Sequence, residues 1–189
     1  MRYIERNLSF YDDRIVYYSD LDGEMEVMMD WEDELMKASA DYICQRGGDI
    51  LEIGFGMGIS ANYIQSHPIR SHTIVENHPE VIPRLNEWAL DKPNVIVVSD
   101  GWYQSLQSLS TYDGVLYDTF GDEDNQFFGE VLPSLVKPSG LATWWNAING
   151  RDNVWKLSGV TYDKYEINPP PNKYFNHTTY YLPKWQQQQ

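Results

Sequence analysis

From residue 49 onward the chain alternates between short, nearly continuous apolar runs and stretches whose apolar residues recur three and four apart. The first pattern belongs to strands buried on both faces, the second to helices with one buried side. Asp49–Ile53 reads as a strand, followed by a glycine loop and a helix from about Ile59 to Ser66. Ser71–Val75 is the next strand and Pro79–Leu90 the next helix. Pro79 suits a first helical turn, and Pro83 is placed to delay or bend that turn. Val95–Ser99 and Gly114–Tyr117 continue the strands, and Phe127–Leu135 is helical. Lys137-Pro138-Ser139-Gly140 then turns the chain into a strand at Leu141–Trp145. Residues 161–166 and 178–182 form an expected antiparallel pair around Pro169-Pro170-Pro171. The pattern predicts an α/β fold: a mostly parallel sheet with helices on both faces and a C-terminal antiparallel strand pair.

Upstream the signal is thinner. Trp31, Leu35, Ala38 and Tyr42 fall on one helical face, with Gly47-Gly48 as a stop. Residues 1–27 show weak periodicity, with Phe10, Tyr11, Tyr17 and Tyr18 set among charges. The expected organisation is an N-terminal segment 1–27 able to cover an active site, one domain over 28–185, and a disordered glutamine tail at 186–189.

At 189 residues and 42% hydrophobic content, the chain suits a single core. No run approaches the roughly 20 apolar residues that span a bilayer, so no membrane partner is expected. The first residues lack a signal-peptide layout, which together with a single cysteine, Cys44, points to a cytoplasmic protein. No cysteine–histidine cluster suggests a metal site. The net charge of −14, from 28 acidic and 14 basic side chains, repels phosphate backbones and argues against nucleic acid as a partner. It mildly favours a cationic substrate. The sequence carries no signal of oligomeric state.

The strongest chemical signal is Asp49-Ile-Leu-Glu-Ile-Gly-Phe-Gly-Met-Gly58, a strand running into a loop with glycines at 54, 56 and 58. Such a loop lies at the carboxyl end of a strand, where open α/β sheets bind ligands. Nicotinamide and flavin folds use similar loops. Two acids favour S-adenosylmethionine instead. Glu52 precedes the glycines, where many methyltransferases carry an acid that helps position the methionine end. Glu76 ends the second strand about 20 residues on, where a carboxylate can accept from both ribose hydroxyls.

Further blocks extend the pattern. They are Val27-Met-Met-Asp-Trp-Glu32, Leu51-Glu-Ile-Gly-Phe-Gly-Met57, Val75-Glu76, Gly114-Val-Leu-Tyr-Asp-Thr119, Lys137-Pro-Ser-Gly140 and Thr143-Trp-Trp-Asn146, with a weaker Lys173-Tyr-Phe. In these the sequence resembles the guanidinoacetate N-methyltransferase family, and shares part of the pattern with the related fungal-type protein-arginine methyltransferases. The resemblance implies the Rossmann-like class I methyltransferase fold with S-adenosylmethionine as cofactor. It implies that Met28 and Met36 flank the bound methionine or substrate. Gly54, Phe55, Gly56, Met57, Gly58, Ile59 and Ser60 would form the cofactor loop. Glu76, with Asn77 beside it, would serve the ribose, and Gly101 and Trp102 would lie against the adenine. Asn146, Ala147 and Ile148 would cradle a substrate carboxylate, reading Asn-Ala-Ile where the family has Asn-Leu-Thr. Phe120 replaces a family tyrosine and removes a hydroxyl near the substrate.

Glu32 and Asp118 are the expected acceptor residues. A guanidinium is a planar fork of donors that carboxylates accept in pairs, and two of them can aim one nitrogen at a methyl donor. Asp118 is expected also to take the proton and to touch the charged end of the cofactor. The run Asp122-Glu123-Asp124 reads as a solvated loop, and His67, His72, His78 and His177 show no ligand spacing. The expected activity is therefore S-adenosylmethionine-dependent N-methylation of a small guanidino compound, guanidinoacetate first, giving creatine. The alternatives are a protein-arginine or free-arginine N-methyltransferase and a non-catalytic cofactor-binding protein.

Overall fold

In a computed structural model of the protein, which describes residues 2–148 and 150–188, the expected α/β sheet is present with seven strands. In chain order the elements are β1 Leu8–Phe10, β2 Arg14–Ser19, β3 Gly23–Met29, α1 Asp33–Ile43, β4 Asp49–Ile53, α2 Ile59–Gln65 and β5 Ser71–Val75. There follow α3 Ile82–Ala89, β6 Val95–Val98, β7 Tyr112–Tyr117, α4 Phe128–Leu135, β8 Val136–Trp144, β9 Thr161–Glu166 and β10 Thr179–Gln186. The main sheet runs β6-β5-β4-β7-β8-β10-β9, parallel except that β10 lies antiparallel to both its neighbours. This is the Rossmann-like class I methyltransferase arrangement.

The alternation of strand side chains explains why both faces are covered. Ile50 and Leu116 pack with Ala40, Ile43 and Ile64 of α1 and α2. Leu51, Ile53, Val115 and Tyr117 point the other way, against Phe128, Leu132 and Leu135 of α4. Strand order reverses between β4 and β7, so their carboxyl ends open side by side, where such sheets bind ligands. Gly54 makes the junction possible: its φ is +94°, and a Cβ there would fall 1.8 Å from the carbonyl oxygen of Asp118.

Several boundaries differ from expectation. The weak periodicity of residues 1–27 conceals regular strands. Residues 8–29 make a separate antiparallel sheet, β1-β2-β3, with a register irregularity between Ile15 and Val16, both buried. The buried face of α1 is Leu35, Met36, Ser39, Ala40 and Ile43; of the expected face Leu35 is buried, while Trp31, Ala38 and Tyr42 are only half-buried. Trp31 lies in a 3-10 turn over Asp30–Glu32, and its tighter winding rotates the face that follows. Helix α3 begins at Ile82, with Pro79–Val81 in the turn before it and Pro83 within its first turn. Strand β8 starts at Val136, passing through Lys137-Pro138-Ser139-Gly140 instead of turning there. The expected tail does not begin at 186. Gln186 pairs with Leu141, and the Gln187 N–H donates to the Gly140 carbonyl at 3.0 Å; Gln189 lies outside the described residues.

Candidate active site

A cavity of about 580 Å³ opens at the carboxyl ends of β4, β5 and β7. Of the residues expected there, Met28, Glu32, Gly54, Phe55, Gly56, Ser60, Glu76, Asn77, Gly101, Trp102, Asp118 and Ala147 line it. This volume lies within the roughly 300–1,000 Å³ of small-ligand sites.

Glu76 is held by three backbone donors. Phe55 N donates to Oε2 at 3.0 Å, while Asn77 N and His78 N donate to Oε1 at 2.9 and 2.8 Å. One lone-pair position on Oε2 stays open for a ribose hydroxyl. Asp118 is presented by its own backbone, whose N–H donates to Ile53 O at 2.9 Å. No donor among the described residues reaches its carboxylate, which keeps part of its surface open to the cavity. Burial, and then the negative charge of Glu52, push this carboxyl well above the usual carboxylate range. Glu32 is buried and likewise pushed up, by burial and then by the charge of Asp118. Hydrogen bonds to its Oε1 from Tyr174 Oη at 2.5 Å and Met29 N at 3.0 Å oppose that rise. The site thus holds two carboxyl groups whose proton affinity is raised by burial and by a neighbouring carboxylate, Glu52 for Asp118 and Asp118 for Glu32, as an acid–base site requires.

Other expected residues, among them Met36, Glu52, Met57, Gly58 and Ile59, do not line the cavity. Glu52, fully buried, accepts a hydrogen bond from the Ser60 hydroxyl and sits 2.9 Å from Nε2 of buried His72. It braces α2 against the sheet from the face it shares with Ile50. Met36 packs with Leu35, Phe175 and Tyr180. Met57 N donates to Met28 Sδ at 3.3 Å, Gly58 caps α2, and Ile59 packs towards the Met36 cluster. The Asn146-Ala147-Ile148 cradle is partly used by the protein. Asn146 N donates to Tyr180 Oη at 2.9 Å and Ile148 N to Asn146 Oδ1 at 3.4 Å. The Asn146 amide donates to the carbonyls of Gly150 and Tyr181. Trp102 borders the cavity but its indole is buried against Tyr117 and Phe128, and its Nε1 donates to Asp122 at 2.6 Å. Asp122 is therefore not part of a solvated run: it also accepts from the Tyr117 hydroxyl at 2.5 Å.

Sequence reasoning missed Tyr3, Trp145 and Tyr174, all on the cavity wall. Tyr3 lies against His78, Phe120 and Tyr17, with centroid distances of 4.8, 5.1 and 6.4 Å. Gly121, at φ +62°, passes so close that a Cβ would stand 2.6 Å from that of Tyr3.

Residues 18–154, more than half of the chain, match the guanidinoacetate N-methyltransferase family. The chain belongs to that family. Among curated proteins, protein arginine N-methyltransferase 2 of Kluyveromyces lactis is 32% identical over 96% of this chain and 52% of its own length. The protein of the same name from Candida glabrata is 35% identical over 77% of this chain and 38% of its own. The chain thus spans about half or less of the length of these relatives. Among solved structures, the N-methyltransferase NodS from Bradyrhizobium japonicum WM9, in complex with S-adenosylhomocysteine, superposes with a TM-score of 0.65 at 14% identity. It covers 84% of this chain and 88% of that one. The chain carries the class I S-adenosylmethionine-dependent methyltransferase fold. Its cavity fits the cofactor: the open position on Glu76 suits a ribose hydroxyl, and the unpaired Asp118 carboxylate faces the space where the charged end would lie.

Proposed function

We propose that the protein methylates a guanidino nitrogen, and that its acceptor is an arginine side chain presented by a protein or peptide. The observation that carries the reading is the pairing of Glu32 and Asp118 on one wall of the cavity, both with carboxyls pushed up by burial. A guanidinium entering between them offsets the charge that makes their joint ionisation costly. Its planar donors match two carboxylates better than an ammonium does.

Bound S-adenosylmethionine supplies an electrophilic methyl group on sulfur. The chain supplies the rest. Stripping a guanidinium of pKa about 12.5 at pH 7 costs roughly 7 kcal/mol, at about 1.36 kcal/mol per unit. Prior deprotonation is therefore a poor route. Asp118 takes the proton from the attacking nitrogen as the nitrogen–carbon bond forms, which its raised affinity for a proton favours. With the cation between the two acids, Glu32 carries its negative charge and stabilises the positive charge that remains. Fixing the nitrogen next to the methyl group contributes further by proximity.

Three features favour arginyl over guanidinoacetate. Two of the three backbone donors expected for an acceptor carboxylate already serve Tyr180 and Asn146. Arg2 is the single basic side chain among the described residues lining the cavity, and it is paired with Glu5 at 2.9 Å. The acidic surface, at −14 overall, suits a basic peptide. Guanidinoacetate is the second reading, favoured by the family match over residues 18–154. The test is kcat/KM for an arginine-containing basic peptide against guanidinoacetate, with methylated products identified by mass spectrometry. The peptide is expected to be preferred; a ranking with guanidinoacetate ahead overturns the choice of acceptor.

A further inference from the structure

The loop between β9 and β10 reaches across the molecule to the acceptor side of the cavity. Asn172, buried, shapes it with both ends of its amide. Its Oδ1 accepts from Tyr174 N and Phe175 N at 3.1 and 2.7 Å, and its Nδ2 donates to the carbonyls of Pro170 and Phe175, both at 2.9 Å. Lys173 ties the loop to the β2–β3 turn, donating to the carbonyl of Glu24 at 2.6 Å and to that of Asp22. Between these anchors Tyr174 is stacked on Trp31, with centroids 6.0 Å apart and planes at 26°, and flanked by Trp145 at 6.2 Å. The ring is thus fixed before any ligand arrives, and its hydroxyl meets Glu32 Oε1 at 2.5 Å.

Resting on the proposed acceptor reading, we infer that Tyr174 is a positioning residue that pins Glu32 through Oε1, leaving Oε2 as its one free acceptor and the bidentate grip on the guanidinium to Asp118. The accounting of donors carries this. Oε1 of Glu32 already takes two protein hydrogen bonds, from Tyr174 and Met29, and neither Glu32 Oε2 nor the Asp118 carboxylate has a hydrogen-bond donor among the described residues. Tyr174 also governs charge. A hydroxyl donating to a carboxylate favours the ionised form, against burial and Asp118. The groups facing Glu32 are Asp118 at the end of β7, Tyr174 from the loop, Tyr180 from β10 and the Met29 amide at the end of β3. Of these, Tyr174 is the side chain whose hydrogen bond favours the ionised form of Glu32, against the larger rise from burial and Asp118. This gives the weak Lys173-Tyr-Phe match a physical content: one residue anchors the loop, the next holds the acid and the third fills the core.

Tyr174→Phe keeps the ring and deletes the hydrogen bond. The carboxyl of Glu32, followed by carbon-13 NMR in the protein without acceptor, is expected to titrate at higher pH in the variant. With an arginine peptide, KM should rise about 10-fold, as for loss of one charge-assisted hydrogen bond. The acid limb of kcat/KM should move to higher pH, and kcat at high pH should change less than KM. An unchanged Glu32 titration overturns the inference, whatever the acceptor proves to be. A shifted titration in a protein that never methylates arginine upholds the link and instead refutes the acceptor reading. A Tyr174→Phe chain that folds only together with Glu32→Gln supports the link, because the hydroxyl is then what makes the buried carboxylate tolerable. A chain unfolded in both backgrounds overturns it.

Discussion

Replacing Asp118 by asparagine should separate chemistry from folding, with the two effects opposite in sign. The side chain keeps its shape, and the backbone bond from Asp118 N to Ile53 O is untouched. No donor among the described residues depends on the carboxylate, so the substitution orphans none. It removes the proton acceptor and one of two charges facing the guanidinium, and turns an amide donor towards a cation. Turnover should fall at least about 100-fold, the lower range for lost acid–base catalysis. Stability should move the other way. A carboxyl whose folded pKa is raised contributes a cost that begins above the unfolded value and is complete above the folded one. Near pH 7.5 the ionised Asp118 therefore destabilises the fold, and Asp118→Asn relieves that. The carboxylate opens to the cavity, so the gain is modest: about 1 kcal/mol, or roughly 2–4 °C in Tm for a chain of this size. The assays are methyl transfer from labelled cofactor and a thermal melt at pH 7.5, with S-adenosylhomocysteine binding by calorimetry as the control. Wild-type turnover refutes the base role. A slow variant that melts several degrees lower refutes the electrostatic reasoning.

Glu76→Ala should weaken S-adenosylhomocysteine at least about 10-fold and lower Tm, since it leaves the Phe55, Asn77 and His78 amides without their acceptor; unchanged affinity by calorimetry contradicts the ribose role. Tyr3→Ala and Gly121→Ala should both lower turnover several-fold in a folded protein, because each disturbs the N-terminal cover over the cavity, the second by driving a Cβ to 2.6 Å from Tyr3. Steady-state kinetics of both variants matching the unmodified enzyme rule out a covering role. At the opposite end of the sheet, hydrogen bonds from Arg70, and then from Lys137 and Ser71, hold the Asp49 carboxyl below the usual range. That stability is present above the unfolded pKa, near 3.9, and is lost as pH falls through the lower folded value. Lys137→Met should therefore flatten the loss of Tm below about pH 4, and an identical acid profile would show that this cluster contributes nothing.

The sheet core was legible in the sequence because β4, β5 and β7 are short apolar runs between glycines and helical spacings, and a parallel sheet covered on both faces leaves no other pattern. The three-stranded N-terminal sheet was not, because adjacent Ile15 and Val16 are both buried and the register shifts between them, which destroys the period of two. The helical face was misread at Trp31, where a 3-10 turn advances faster per residue than the helix it leads into. Among the residues that line the cavity, Glu32, Glu76 and Asp118 were legible because each carries a charge at the edge of an apolar element, Glu32 and Asp118 chiefly within the blocks that resemble the family. Glu52 carried a different signal. An acid inside Ile50-Leu51-Glu52-Ile53 must be paired where it is buried, and His72, near the start of the neighbouring strand, was the available partner. Tyr174 had no local signal, since its partner Glu32 is 142 residues away.

The central claim is that the carboxylates of Glu32 and Asp118 hold a guanidinium beside the methyl donor. One peptide tests it most directly: a basic sequence carrying a single arginine and a single lysine, with a twin in which citrulline replaces the arginine. Both are incubated with deuterium-labelled S-adenosylmethionine and read by tandem mass spectrometry. The account predicts label on a guanidino nitrogen of the arginine, none on lysine, and none on citrulline, which has the shape but not the charge. Label on citrulline at a comparable rate, or on lysine in preference to arginine, would contradict it.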